Sequence, residues 1–335
     1  MTHKVFVTRS LPARALERLR QFVPDIAMHD DEAVLDEAGL CARVGDATGL
    51  LVPGDTISRA VIDAAPRLRA VANVSVGYNN LDLTALNERG IVATNTPDVL
   101  NETTADLGWA LMMAAARRIT EAEHYLRAGR WKHWRFDLLT GSDVYGSTLG
   151  IVGMGRIGQA LARRAAGFGM RVVYHNRSRV APEIEQALRA EYLSKEALMR
   201  EADHIIVVVP YSPQSRGLIG AAEIAAMKPS ATLTNIARGG IVDEDALIEA
   251  LAARRIAGAG LDVFEGEPDF DARFLALDNV VLTPHIGSAS EPTRMAMANL
   301  AIDNLVAALG LGPRAGQPAN PVNPQVLAAP GTAPR

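Results

Sequence analysis

The chain has 335 residues, a formal net charge of -4 and 48% apolar residues. This length favours two domains, and the acidic balance argues against a general nucleic-acid binder, although a local positive site could still take a small anion. The single cysteine excludes an internal disulfide and favours a reducing compartment, for which we expect the cytoplasm. No signal peptide and no membrane span are predicted.

Short apolar runs alternate with helical patterns, which is typical of an α/β fold with parallel sheets. The first series of predicted strands lies at 5–8, 26–28, 49–52, 70–74 and 91–94. Helical patterns at 13–22 and 58–64 lie between them. Five strands with crossovers predict a small doubly wound domain.

A second series follows a long helix predicted at 103–117, for which Asn101 is the predicted N-cap. Its six predicted strands lie at 149–152, 171–174, 204–209, 232–236, 258–263 and 280–283. Six strands suit a dinucleotide-binding domain. A last helix is predicted at 291–309, and the Pro- and Ala-rich stretch 312–335 predicts a mobile or draped tail.

A glycine-rich turn follows the first strand of the second series. The strand at 149–152 leads into GMGRIG, and a helical pattern covers 159–166. In a dinucleotide turn the first glycine permits the tight bend, the second lets a pyrophosphate approach, and the third lets the helix pack closely. This context favours a dinucleotide site over a purely structural turn. The predicted contacts are Gly153, Gly155, Arg156, Ile157 and Gly158.

The end of the next strand indicates which dinucleotide binds. NAD-specific sites usually place a carboxylate there, whereas this chain has Asn176, Arg177 and Ser178 and no carboxylate before Glu183. Arg177 and Arg179 could neutralise a 2′-phosphate. We therefore predict NADP(H) as the preferred cofactor, with NAD(H) possible; the alternative is that these arginines are only solvated loop charges.

Three polar residues follow late strands of the second series: Arg238, Glu267 and His285. An arginine can bind a carboxylate through two hydrogen bonds, and a histidine can donate a proton near neutral pH. A carboxylate beside the histidine favours its protonated form and fixes the ring. Together these residues predict the reduction of a keto acid. The other histidines are scattered without metal-binding spacing, so no metal site is predicted.

At this point the chain resembles the D-isomer-specific 2-hydroxyacid dehydrogenases. The resemblance extends from about residue 70 to 290, with the family's motifs in the family's order. The matching stretches are 73–82, 104–107, 153–158, 235–239, 260–268 and 284–288.

The resemblance implies a role for each matching residue. Arg238 would bind the substrate carboxylate and carbonyl, and His285, paired with Glu267, would be the acid and base. Val76 and Gly77 would offer backbone N–H groups to the carboxylate. Further cofactor contacts would come from Thr104, Val209, Pro210, Ile236, Ala237, Arg238, Asp262, His285 and Gly287.

The resemblance also implies the domain order. A Rossmann cofactor domain at 102–287 would be inserted in a flavodoxin-like substrate domain formed by 1–101 and 288–312, followed by a tail at 313–335. A homodimer is expected, supported by the aromatic segment around Trp134. In relatives an aromatic residue of this segment reaches the partner's active site; an interface role without substrate contact is an equally good interpretation of Trp134.

Within the family, the chain looks most like the glyoxylate/hydroxypyruvate reductases and the 2-ketogluconate reductases. The signals are the 75–77 loop, the 176–178 strand end and the 131–134 segment. The predicted function is therefore hydride transfer from NADPH to a small 2-oxo acid, giving the D-2-hydroxy acid. Two alternatives stay open: an NAD-linked dehydrogenase of another substrate, such as phosphoglycerate, and a dinucleotide-sensing interaction protein.

Overall fold

The computed structural model describes residues 2–31 and 33–328, which divide into two compact units. One unit comprises residues up to 100 together with those from 290, and the other comprises residues 101–289. The strands are β1 (Lys4–Val7), β2 (Asp25–Met28), β3 (Gly49–Val52), β4 (Ala70–Asn73), β5 (Val92–Thr94), β6 (Thr148–Val152), β7 (Arg171–His175), β8 (Ala190–Tyr192), β9 (His204–Val207), β10 (Thr232–Asn235), β11 (Gly258–Leu261) and β12 (Val280–Leu282).

The helices are α1 (Ala13–Arg20), α2 (Glu37–Val44), α3 (Arg59–Asp63), α4 (Leu83–Glu88), α5 (Asn101–Ala116), α6 (Ile119–Arg127), α7 (Arg156–Gly167), α8 (Pro182–Leu188), α9 (Lys195–Glu201), α10 (Ala221–Ala226), α11 (Glu244–Ala252) and α12 (Glu291–Ala308). Short 3-10 helices occur at Ala272–Ala276 and Pro324–Val326. Among the described residues, no helix has both the length and the apolarity needed to cross a membrane.

The first unit contains a parallel sheet in the order β2-β1-β3-β4-β5. Its strands are short and apolar because both faces are covered, and Leu50 and Leu51 on β3 are completely buried. Helix α12 packs on β3, β4 and β5 and against α1. The carboxyl ends of β1, β3 and β4 therefore lie along one edge of this sheet, with the 75–77 loop directly after β4.

The predicted tail packs on this first unit as far as residue 328. The N–H of Val322 donates to the carbonyl oxygen of Ala93 at 2.8 Å, and Pro321 forms an antiparallel bridge with Thr94. Asn323 is buried against β5. The tail was predicted to be either mobile or draped, and its described part, up to residue 328, is draped over the first unit. Residues 329–335 lie outside the described residues.

The second unit contains a parallel sheet in the order β12-β11-β10-β9-β6-β7-β8. Two parallel α/β sheets confirm the predicted fold class. The prediction of six strands was wrong, because β8 is a three-residue edge strand without an apolar run. The predicted N-cap was also wrong: α5 begins at Asn101 itself. The sheet reverses its strand order between β6 and β9, which is where such sheets bind ligands.

Candidate active site

The glycine-rich turn connects β6 to α7 at the reversal point of the second sheet. Gly153 has a φ of +113°, and a side chain there would press on the backbone of Val208. A side chain at Gly158 would overlap the carbonyl oxygen of Gly153. Gly155 is exposed, with no atom within 4 Å of the position its Cβ would take.

The first hydrogen bond of α7 runs from the N–H of Gln159 to the carbonyl oxygen of Gly155. The first N–H groups of a helix, such as that of Ile157 here, have no acceptor within the helix. A 12-residue helix carries a partial positive charge at this end. The exposed second glycine and this helix terminus fit the phosphates of a dinucleotide.

The residues after β7 differ in the contacts that they make. The side-chain oxygen of Asn176 accepts the N–H of Met154 at 2.7 Å, so Asn176 braces the glycine turn. Arg179 binds the carboxylate of Glu185 through two hydrogen bonds of 2.7 Å. Arg177 and Ser178 are exposed, and no partner for Arg177 occurs among the described residues. Arg179 is thus already paired with a carboxylate, whereas Arg177, within the described part of the chain, is not.

The remaining predicted cofactor residues lie along the same sheet. Val209 and Pro210 follow β9, with Val209 beside Gly153. Ile236 and Ala237 are buried after β10. Thr104, on α5, is buried beside Gly287.

Arg238 follows β10 and is partly buried. Its Nη1 donates to the carbonyl oxygen of Ala237 at 2.7 Å. Asn235 has no predicted role, yet its side chain bonds both residues of this segment. Its amide N–H donates to the carbonyl oxygen of Arg238 at 3.1 Å, and its amide oxygen accepts the N–H of Ala237 at 3.0 Å. Burial lowers the pKa of Arg238, and the carboxylates of Glu267 and Asp262 oppose that effect. The guanidinium is therefore held in place beside carboxylates.

His285 and Glu267 form a hydrogen-bonded pair. The Nδ1 of His285 lies 2.7 Å from Oε2 of Glu267, and Oε1 of Glu267 accepts the N–H of Phe264 at 2.6 Å. Burial alone would raise the pKa of Glu267, but the bond to His285, its charge and the Phe264 N–H outweigh burial, so the pKa is lowered. With Nδ1 bonded, Nε2 of the 46%-exposed imidazole is the nitrogen that can serve a ligand.

Asp262 secures the loop that carries this histidine. Its buried carboxylate accepts the N–H groups of Ile286 and Gly287, each at 2.8 Å, and the hydroxyl of Thr283 at 2.7 Å. Its backbone carbonyl accepts the N–H of His285 at 2.9 Å. These bonds hold His285 at a φ of +52°, a conformation that non-glycine residues rarely adopt outside such restrained sites. Burial raises the pKa of Asp262 against these hydrogen bonds.

The other predicted substrate contacts are described by themselves. Val76 and Gly77 lie on the partly exposed loop after β4 of the first unit. Trp134 lies on the exposed segment after α6 of the second unit, 74% exposed, with its ring 6.3 Å from that of Phe136. Among residues 2–31 and 33–328, no group of three or more His, Cys, Asp and Glu is arranged to hold a metal ion.

Comparison with known proteins identifies the family. The model of the NAD-binding domain of D-isomer-specific 2-hydroxyacid dehydrogenases matches residues 109–287. This chain belongs to the D-isomer-specific 2-hydroxyacid dehydrogenases. It is thus an NAD(P)-dependent oxidoreductase with a nicotinamide dinucleotide cofactor, which confirms the family and enzyme class predicted from the motifs.

Three relatives illustrate the similarity. The glyoxylate reductase of Thermococcus kodakarensis is 47% identical over 312 residues, covering 92% of this dehydrogenase and 93% of that protein. A solved protein from Thermus thermophilus is 46% identical with a TM-score of 0.86, covering 95% and 99% of the two chains. The NADPH-dependent glyoxylate/hydroxypyruvate reductase of Sinorhizobium meliloti, solved with NADP and malonate, is 36% identical with a TM-score of 0.85, covering 96% and 97%.

Proposed function

We propose that this dehydrogenase reduces small 2-oxo acids, such as glyoxylate, hydroxypyruvate or 2-ketogluconate, to D-2-hydroxy acids with NADPH. The observation that carries the proposal is the His285–Glu267 pair, joined at 2.7 Å, with Arg238 close enough for its charge to interact with Glu267. A proton donor backed by a carboxylate and a fixed cation are the groups that the reduction of a 2-oxo acid requires. The names of the relatives above agree with this substrate class.

Each residue has one task in the proposed mechanism. Arg238 binds the 2-oxo acid and stabilises negative charge on its carbonyl oxygen. The Nε2 of His285 donates a proton to that oxygen, and Glu267 stabilises the imidazolium that precedes the transfer and holds the ring in one orientation. When bound, the reduced nicotinamide supplies the hydride. The N–H groups of Val76 and Gly77 are proposed to bind the substrate carboxylate.

The preference for NADPH is proposed from the end of β7. Arg177 and Ser178 are exposed there, and Arg177 carries the charge that a 2′-phosphate would need. Asn176 supports the site indirectly through its bond to Met154. The dependence of the Sinorhizobium meliloti relative on NADPH supports the same assignment.

A homodimer is proposed from the exposed aromatic segment. Trp131, Trp134 and Phe136 are 54%, 74% and 87% exposed, and neighbouring exposed apolar side chains of this kind can mark a protein–protein interface. Trp134 is proposed as an anchor of the interface. Sedimentation of the wild type and of Trp134→Ala tests this, because a monomeric wild type would contradict it.

The substrate class is tested by a panel. Glyoxylate, hydroxypyruvate, 2-ketogluconate and phenylpyruvate are each supplied with NADPH and, in parallel, with NADH. We expect turnover of at least one 2-oxo acid and a higher kcat/KM with NADPH. A lack of turnover with all four would overturn the proposed function, and an equal or higher kcat/KM with NADH would overturn the cofactor preference alone.

A further inference from the structure

All three backbone carbonyl oxygens of the 75–77 loop accept hydrogen bonds. The carbonyl of Ser75 accepts the N–H of Thr96 at 2.9 Å, and the carbonyl of Val76 accepts the side-chain amide of Asn95 at 2.8 Å. The carbonyl of Gly77 is bonded as well, by the side chain of Ser75 at 2.5 Å. In contrast, none of the residues that the structure describes provides an acceptor for the N–H groups of these three residues.

The fixed carbonyls determine where the N–H groups point. In a trans peptide the C=O of one residue and the N–H of the next lie on opposite sides of the same rigid plane. The bond from Thr96 to the Ser75 carbonyl therefore turns the N–H of Val76 away from β5. The bond from Asn95 to the Val76 carbonyl does the same for the N–H of Gly77. Successive backbone N–H groups that point the same way can together bind an anion.

We propose that Asn95 is a positioning residue, which fixes the Val76–Gly77 peptide so that the N–H of Gly77 binds the carboxylate of the substrate. Asn95 is not proposed to contact the substrate itself. Its bond to Val76 is the only side-chain bond from outside the loop that holds this peptide plane among the described residues. The inference rests on the proposed reduction of 2-oxo acids.

Asn95 is suited to this task because its own backbone is anchored on both sides. Its N–H donates to the carbonyl oxygen of Asn320 at 3.2 Å, and its carbonyl oxygen accepts the amide of Asn304 at 3.1 Å. Asn304 is buried on α12, and Asn320 belongs to the segment draped over β5. The chain that returns after the second unit thus holds the residue that orients the loop.

A second amide, which is buried, holds the next peptide of the loop. Asn73, fully buried at the end of β4, donates to the carbonyl oxygen of Gly77 at 2.7 Å and to the hydroxyl of Ser75 at 2.7 Å. Its side-chain oxygen accepts the amide of Asn80 at 3.0 Å. Asn73 therefore holds the Gly77–Tyr78 peptide, whereas Asn95 holds the Val76–Gly77 peptide, whose N–H belongs to Gly77.

The test compares Asn95→Ala with a matched control. Asn323→Ala removes a buried amide of the same unit, which bonds the Ala93 N–H and the Ile91 carbonyl but no residue of the loop. At saturating NADPH, we expect Asn95→Ala to raise the KM for the best 2-oxo acid of the panel about tenfold, the loss of one hydrogen bond to a charged group. The inhibition constant of oxamate, an unreactive analogue with the same carboxylate, should rise in parallel.

A purely structural role for Asn95 would lower the thermal stability of Asn95→Ala and leave its KM and its inhibition by oxamate unchanged. The positioning role predicts the rise in both constants given above. NADPH affinity should be unchanged in both variants, and Asn323→Ala should lose thermal stability without a change in KM. If Asn95→Ala does not fold, Asn95→Asp, which keeps the shape and replaces the donor with an acceptor, is measured instead. If the wild type is active and the Asn95 variant has an unchanged KM and unchanged inhibition by oxamate, the role of Asn95 is overturned but the proposed function is not. If the wild type is inactive, the proposed function is overturned.

Discussion

Two segments of this molecule present backbone N–H groups outward, and they achieve it by different means. The turn at 153–158 depends on missing side chains, since a Cβ at Gly158 would overlap the Gly153 carbonyl oxygen. The 75–77 loop depends on hydrogen bonds from other strand ends, including one from Asn95, 19 residues along the chain. The glycine turn is formed by neighbouring residues and can be recognised as a sequence motif, whereas the hydrogen bonds that hold the 75–77 loop exist only in the folded chain. We propose the first for the phosphates of the cofactor and the second for the carboxylate of the substrate.

The largest effect is expected from a change that touches neither segment. His285→Ala removes the proposed proton donor, so kcat should fall by about 10²–10⁴-fold while NADPH binding stays nearly unchanged. Steady-state rates and a fluorescence titration of NADPH measure the two quantities. His124→Ala, an exposed histidine on α6, is the control. Wild-type kcat in His285→Ala would remove the histidine from the mechanism.

The glycine turn is broken most directly at its third glycine. Gly158→Ala should weaken NADPH binding by about a hundredfold, because the turn must open and charge-assisted bonds to phosphate are lost. Gly167→Ala is the matched control: it lies on the same helix, and no atom lies within 4 Å of its Cβ position. NADPH titrations of both variants provide the measurement. Equal affinities in the two would show that the turn does not hold the cofactor.

The two arginines after β7 sharpen the assignment of the cofactor. Arg177→Ala should raise the KM for NADPH about tenfold and leave the KM for NADH unchanged, since only NADPH carries the 2′-phosphate. Arg179→Ala should have a smaller effect, because Glu185 already binds that guanidinium. Kinetics with each cofactor at saturating 2-oxo acid compare the variants. The idea fails if both cofactors are affected equally by Arg177→Ala.

The smallest effect concerns stability and pH. The pKa of Glu267 is lower in the folded chain than its ordinary value of 4.5. Its ionised form therefore stabilises the folded chain above pH 4.5. This stabilisation is lost as the pH falls from 4.5 through the pKa of the folded state. Glu267→Gln should therefore cost about 1 kcal/mol at neutral pH, a figure reduced for partial exposure. The difference from the wild type should shrink below about pH 4.5. Denaturant unfolding at several pH values measures it, and a difference that grows on acidification would contradict the account.

The sequence predicted those features that depend on neighbours along the chain. The glycine turn and most strands follow from local spacing. The motifs also indicated Arg238, Glu267 and His285, whose catalytic role stays a prediction. The three-residue strand β8 lacks any such pattern. The pairing of Arg179 with Glu185 could not be predicted from the sequence, because it forms only when α8 folds back on the strand end.

Hydrogen-bond networks were the hardest feature to predict. Asn95 and Asn73 are ordinary polar residues at strand ends, and nothing in their spacing indicates that both amides hold one loop. Asn235 shows the same limit, since its two bonds to the Ala237–Arg238 segment arise from a turn rather than from a pattern. The Asp262 carboxylate accepts three hydrogen bonds from residues 283–287, on a different strand end.

In the proposed reaction, hydride passes from reduced nicotinamide to the 2-oxo carbon of a small acid while His285 protonates the oxygen. The most direct test supplies NADPH carrying deuterium at the transferable position, together with hydroxypyruvate, and analyses the product by mass spectrometry and chiral chromatography. We expect D-glycerate with one deuterium at the carbon next to the carboxylate. Unlabelled product, or the L-isomer, would contradict it.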